Sequence, residues 1–147
     1  YEQRALLLRV QVLYGLWANY ATELTPEEHQ AFLDDLRRFA RQIISAYENA
    51  PSAPMKEIAA EANAYLGLTF YGTEAYDEAI DAFNNANDLS FDDSRRMYFY
   101  RWIGDCYTAL GDTGAARTAY RTALELAQSL PDITPERLEE FEKNLST

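Results

Sequence analysis

Residues 98–127 read YFYRWIGDCYTALGDTGAARTAYRTALELA, in which two helical patterns flank the pair Gly111-Asp112. Small residues lie at Gly104 and Ala116, and large side chains are spaced three or four residues from them. Because antiparallel helices approach closely only where side chains are small, these two positions predict the contact point of a helical hairpin. Gly111 followed by Asp112 is typical of a helix end followed by an N-cap.

A second copy of this pattern lies upstream, in AYLGLTFYGTEAYDEAIDAFNNANDL at residues 64–89. Six positions agree in residue type and spacing between the copies, at an offset of 37 residues. The upstream positions are Leu66, Gly67, Phe70, Ala79, Phe83 and Ala86, and their counterparts are Ile103, Gly104, Tyr107, Ala116, Tyr120 and Ala123. Repetition of one such unit indicates a stack of helical hairpins.

The repeated pattern resembles the tetratricopeptide repeat, a helix-turn-helix unit of about 34 residues. The resemblance covers two repeats, at about 60–89 and 97–130. The offset of 37 residues departs from the family period, and the proline that often ends a repeat of this family is replaced by Phe91 and Gln128. The resemblance implies an all-α fold, a right-handed superhelical stack of antiparallel hairpins with about seven helices.

Residues 1–50 are predicted to form a divergent N-terminal hairpin, because apolar residues recur there at spacings of three and four. The second helix is expected to begin at Thr25, with Glu28 completing a capping box. The buried stripe predicted for the first helix consists of Leu6, Leu7, Val10, Leu13, Tyr14 and Trp17. The stripe predicted for the second consists of Phe32, Leu36, Phe39, Ile43 and Tyr47.

The chain is interpreted as a single domain over residues 1–147. Repeats are expected at 55–89 and 93–130, after a short rigid turn at 50–54 that contains two prolines. A half-polar helix over 134–146 is expected to cap the stack, because a stack needs a polar outer face at its end. No apolar run reaches the roughly 18 residues of a membrane span. The prediction is therefore a soluble domain without direct membrane insertion, in the cytoplasm or, after removal of an upstream segment, outside it.

The charge balance argues against two classes of partner. The chain has 24 acidic and 13 basic side chains, a net charge of −11, which on average repels nucleic acid and anionic lipid surfaces. Residues 51–89 carry seven acids against one lysine. This segment is interpreted as a solvated face, with docking of a basic partner as the alternative.

The sequence offers little for catalysis. The only histidine, His29, is predicted to face solvent, and no cysteine or second histidine is placed to complete a metal site with it. The only cysteine, Cys106, is interpreted as a small buried residue that lacks a nearby base. No cofactor, metal site or catalytic residue is expected, and the chain is predicted not to be an enzyme.

In proteins of this family, the first helix of each hairpin lines a concave groove that binds peptides. The resemblance therefore implies a non-catalytic protein–protein interaction module, an adaptor or scaffold. The groove residues that it implies are Glu61, Leu68, Tyr71, Tyr98, Arg101, Asp105, Thr108 and Asn19, joined by Arg9, Val12 and Leu16 if the first hairpin stacks in register. Three other tyrosines, Tyr65, Tyr107 and Tyr120, are assigned to the core.

Two alternatives remain open at this point. The chain could be a homo-oligomerisation module, in which the first or last hairpin stacks on a second copy. It could also be a regulatory or sensor domain that binds a small ligand or a signalling peptide. A basic clamp for a terminal carboxylate is not expected, because the matching positions hold Val12, Leu16, Tyr65, Tyr98 and Trp102.

Overall fold

The computed structural model describes residues 2–146, which form seven α-helices and no strand. The helices are α1 (Glu2–Tyr20), α2 (Pro26–Asn49), α3 (Ala53–Gly72), α4 (Tyr76–Leu89), α5 (Asp93–Leu110), α6 (Thr113–Ser129) and α7 (Pro135–Lys143), and a 3₁₀ turn, Ala21–Glu23, follows α1. Each α-helix packs against the next along the chain, and α1 also contacts α3. The predicted all-α stack of hairpins is confirmed, with α1–α2, α3–α4 and α5–α6 as the hairpins and α7 packed on α6.

Local chemistry accounts for the helix ends. The Thr25 hydroxyl accepts a hydrogen bond from the Glu28 amide, and the Glu28 carboxylate accepts one from the Thr25 amide, so the predicted capping box is confirmed. Asp112 caps α6 through the Ala115 amide. Gly111 ends α5 with a φ of 82°, a left-handed conformation that glycine adopts without a Cβ clash.

Two predicted helix bounds differ from the structure. Helix α3 begins at Ala53, inside the segment that the sequence assigned to a turn. The reason is that Ser52 caps the helix and Pro54 lies in its first turn. Backbone N–H groups of the first turn have no partner within the helix, so proline is tolerated there. Helix α7 ends at Lys143, three residues before the predicted end at residue 146.

Gly67 and Gly104 lie buried where the two helices of a hairpin meet. A Cβ atom at Gly67 would lie 2.8 Å from three carbons of the Phe83 ring, and one at Gly104 would lie 2.6 Å from Tyr120 Cδ1. The closest approach is therefore between a glycine and an aromatic ring, whereas the sequence paired Gly104 with Ala116. The ring, being flat, can lie against bare backbone where a branched side chain could not.

The buried stripe of α2 is rotated relative to the prediction. Its buried residues are Leu33, Leu36, Ala40 and Ile43, whereas Phe32, Phe39 and Tyr47 are only half-buried. Helix α2 packs against both α1 and α3, and the fully buried Ala40 gives these neighbours room to approach. The larger aromatic rings therefore lie at the margin of the contact.

The last helix covers the end of the stack. Phe141 of α7 is fully buried and packs with Met97, Ala123 and Ala127 of the preceding hairpin. The outward residues of α7 are charged and exposed. Among the helices described over residues 2–146, none has the length and hydropathy that a membrane span requires.

Candidate binding site between the first helices of the hairpins

A cavity of about 330 Å³ lies between α1, α3 and α5, with one ring from α4 at its wall. These are the first helices of the three hairpins, which line the groove in the family that the sequence resembles. Aromatic and aliphatic side chains form most of the wall. The lining residues are Tyr14, Glu61, Ala64, Tyr65, Leu68, Phe83, Arg95, Tyr98, Phe99 and Trp102.

Three of the residues expected in a groove, Glu61, Leu68 and Tyr98, line this cavity. Tyr71 is not among the lining residues. Its ring packs edge to face with those of Trp102 and Tyr76, at centroid distances of 5.0 Å and 5.6 Å. Tyr71 therefore supports the tryptophan and does not line the cavity.

Three further expected residues are held by contacts within the protein. The Arg101 guanidinium lies over the rings of Tyr98 and Phe141, 4.9 Å and 5.1 Å from their centroids, and pairs with Glu140 at 3.6 Å. Asp105 Oδ1 accepts a hydrogen bond of 2.6 Å from the Tyr120 hydroxyl. The third, Thr108, is exposed, and its hydroxyl donates a hydrogen bond of 2.9 Å to the Gly104 carbonyl in the same helix.

The first hairpin contributes Tyr14 to the cavity and none of the four residues expected from it. Asn19 is exposed and donates to the Gly15 carbonyl at 2.8 Å. Arg9 and Val12 line a separate depression between α1 and α2, and Leu16 is exposed. These four residues therefore lie outside the cavity, and the condition that the first hairpin stacks in register does not bring them into it.

Tyr14, Tyr65, Arg95 and Trp102 line the cavity although the sequence did not assign them to it. Tyr65, expected in the core, is half-buried. Tyr65 and Trp102 are 37 residues apart, the offset that also relates Gly67 to Gly104. This equivalence was the signal that could have identified them, since equivalent positions of a repeat face the same surface.

The aromatic side chains of the cavity hold one another in place. Trp102 stacks on Phe83 with a centroid distance of 6.3 Å and an interplanar angle of 7°. Tyr65 meets Tyr14 edge to face at 5.4 Å. Burial raises the pKa of both tyrosine hydroxyls, so they stay protonated at neutral pH and can donate hydrogen bonds.

The charged groups at the cavity are already paired. Arg95 forms ion pairs with Glu61, with Glu57 at 3.6 Å and with Asp92 at 3.6 Å. Glu61 also accepts a hydrogen bond of 3.2 Å from Gln11. A ligand would therefore meet a largely apolar surface with a neutralised polar edge.

Neither lone reactive residue belongs to this site. His29, predicted to face solvent, is half-buried, and its Nε2 accepts a hydrogen bond of 2.6 Å from the Trp17 indole. Cys106 is buried, and this burial raises the pKa of its thiol to about 12. Between residues 2 and 146, no three histidine, cysteine or acidic side chains lie together as a metal site would require.

The comparisons with known proteins agree with this geometry. The family model described as Tetratricopeptide repeat matches residues 99–130, while no curated protein sequence matches the chain. Among solved structures, the N-terminal domain of stress-induced protein-1 (STI-1) from C. elegans is similar with a TM-score of 0.53 and 10% identity, over 95% of this chain and 97% of that one. At this identity the similarity concerns the fold alone. Residues 99–130 are therefore similar to a tetratricopeptide repeat, and the chain as a whole has an all-α helical-repeat fold like that of the STI-1 domain.

Proposed function

We propose that this chain is a non-catalytic interaction module that binds a peptide or protein segment in the aromatic cavity. Tetratricopeptide repeats as a class mediate protein–protein interaction, and the cavity lies between the helices that line the groove in that class. The observation that carries the proposal is the cavity wall itself, in which aromatic rings from three hairpins converge on one space. Such preformed apolar pockets with few polar groups are typical of binding sites.

The wall favours a segment that inserts an apolar or aromatic side chain. A volume of about 330 Å³ lies at the lower end of the range for ligand pockets, so it suits one or two side chains better than a whole folded domain. Tyr65 and Trp102 offer flat, rigid surfaces that lose little conformational entropy on binding. The tyrosine hydroxyls can donate to backbone carbonyl groups of the segment.

The same geometry disfavours recognition of a terminal carboxylate. Arg95 lines the cavity and Arg101 lies over the ring of Tyr98 in the cavity wall, and both arginines pair with acids of the protein. A carboxylate ligand would have to displace those acids and would meet the net charge of −11 as well. An uncharged segment avoids both penalties.

The test is a selection from a displayed library of random peptides, followed by calorimetric titration of the selected peptides. Leu68→Glu places a charge in the cavity wall and should weaken binding at least tenfold, a loss of about 1.4 kcal/mol. Phe91→Ala is the matched control, because Phe91 is 74% exposed and does not line the cavity. It should leave the affinity unchanged.

Circular dichroism melts should show that the Leu68→Glu variant still folds. Equal affinity of the selected peptides for this folded variant and for the wild type would contradict the proposal, as would enrichment of acidic peptides without apolar residues. A small apolar ligand is a second candidate because the cavity volume is also within the range for small molecules. Thermal stabilisation by aromatic fragments, with no peptide selected, would favour that function.

A further inference from the structure

The outward face of α1 carries a row of exposed apolar side chains. Leu8, Val12, Leu16 and Tyr20 follow one another at intervals of four residues, so they lie on one face of the helix. Their exposed fractions are 62%, 60%, 39% and 49%. We call these four residues the α1 outer stripe. It lies opposite the residues that α1 buries, Leu7, Val10 and Trp17.

Helix α1 is apolar around most of its circumference, a property of helices that are covered on all sides. Helix α3 has the same character, and it packs against α1, α2 and α4. Helix α1 packs against α2 and α3 with its other faces. In the part of the chain that the structure describes, nothing covers the outer stripe.

A depression of about 420 Å³ between α1 and α2 extends the stripe toward Leu13 and Phe39. Its rim carries charges of both signs, Arg9, Asp35 and Arg38. Arg38 pairs with Asp35 at 2.8 Å, and Arg9 lies over the Phe39 ring at 4.4 Å. The face therefore combines an apolar centre with a rim whose charges nearly cancel, in a chain of net charge −11.

We propose that the α1 outer stripe binds the same stripe of a second copy of this chain. Charge is the first reason: the depression beside the stripe is lined by two arginines and one aspartate, so it lacks the acidic excess of the chain as a whole. The acidic segment 51–89, with its seven acids, would oppose self-association through the middle of the stack.

The two ends of the stack differ, and this difference selects the symmetry. The far end is closed by α7, whose exposed residues include Glu136, Glu139, Glu140 and Glu142. A head-to-tail arrangement would bury these acids against an apolar stripe. Contact of the stripe with itself buries apolar surface on both sides and closes a twofold pair.

The size of the stripe predicts a reversible dimer. Four half-exposed side chains offer on the order of a few hundred Å², below the roughly 800 Å² per partner of a standard stable interface. Dimerisation should therefore depend on protein concentration. It should become stronger as salt screens the repulsion between two chains of net charge −11.

Sedimentation equilibrium over a wide concentration range, at low and high salt, tests the proposal. We expect the average mass of the wild type to rise from one chain toward two. Val12→Glu should weaken association at least tenfold, because it places a carboxylate at the centre of the stripe. Leu110→Glu is the matched control: Leu110 is 45% exposed but lies at the end of α5, so this variant should dimerise as the wild type does.

Three outcomes would overturn the proposal. They are a wild type that stays monomeric at every concentration and salt, a folded Val12→Glu variant that dimerises as well as the wild type, and a mass that rises past two chains. Thermal melts of Val12→Glu should match those of the wild type at low concentration, since Val12 is 60% exposed in the single chain. Because Val12 lies outside the aromatic cavity, peptide affinity should not change in this variant.

Discussion

Replacing Gly104 by alanine should destabilise the protein, although alanine is the better helix former. The new Cβ would lie 2.6 Å from Tyr120 Cδ1 and 2.9 Å from Cζ, whereas non-bonded carbons prefer about 3.5–4.0 Å. The ring would have to move by about 1 Å to restore that separation. It is not free to do so, because its hydroxyl donates to Asp105 at 2.6 Å and lies 3.2 Å from Thr108 Oγ1.

The expected magnitude follows from two opposing contributions. Forcing an extra carbon into a packed contact costs about 1–3 kcal/mol. This cost includes any weakening of the hydrogen bond from the Tyr120 hydroxyl to the Asp105 carboxylate. A hydrogen bond to a charged group contributes about 1.5–3 kcal/mol. In the opposite direction, alanine in place of glycine within a helix raises the free energy of unfolding by about 0.5–1 kcal/mol. Taken at the middle of the two ranges, the net loss in the free energy of unfolding should be about 1 kcal/mol.

Urea unfolding with linear extrapolation measures this difference. Gly15→Ala is the matched control, because among the described residues no atom lies within 4 Å of a Cβ at Gly15. This control should stabilise the protein by about 0.5–1 kcal/mol. In a Tyr120→Phe background the penalty of Gly104→Ala should shrink, since the ring is no longer held by its hydroxyl.

A Gly104→Ala variant as stable as the wild type would refute the reasoning about the contact. An equal penalty in the Tyr120→Phe background would refute the reasoning about the anchored ring.

Three further predictions concern other parts of the stack. Thr25→Ala removes the capping box of α2 and should lower the free energy of unfolding by about 1 kcal/mol in urea titrations, while Thr25→Ser should retain most of it. Cys106 should react with a thiol reagent at mildly alkaline pH only as fast as the protein unfolds, because its thiol is buried and has its pKa raised to about 12; rapid labelling of the native protein would contradict this. Burial also raises the pKa of the Asp105 carboxyl above its ordinary 3.8, so its contribution to stability is present below that value and is lost as the pH rises through the raised pKa. Asp105→Asn should therefore make the slope of unfolding free energy against pH more positive in the acidic range just above 3.8, and an unchanged slope would contradict the assignment.

The hairpins and the burial of Gly67 and Gly104 within them could be predicted from local pattern alone. Gly67 and Gly104 recur at one offset with an aromatic residue 16 positions later, Phe83 and Tyr120, and the structure brings each glycine against that ring. The capping box at Thr25 is a property of four consecutive residues, so it needs no tertiary information. Capping involves a few consecutive residues, and the close packing lies within one repeat. Both can therefore be predicted from the local sequence.

The membership of the candidate site could not be predicted in the same way. Tyr65 was assigned to the core and lines the cavity, while Arg101 was assigned to the groove and is held by Glu140. A half-buried aromatic residue on an apolar helix can face either the core or the neighbouring hairpin, and helical periodicity is compatible with both.

Sequence alone was sufficient for the all-α repeat, the burial of Gly67 and Gly104 within their hairpins and most helix boundaries, because each depends on residues that are neighbours along a helix or within one hairpin. Tertiary structure was needed to show that Tyr14, Tyr65 and Trp102 share one cavity and that the α1 outer stripe is left uncovered. Both features depend on how each hairpin is rotated against the next. That rotation is set by packing among side chains far apart in the chain, and no local pattern records it.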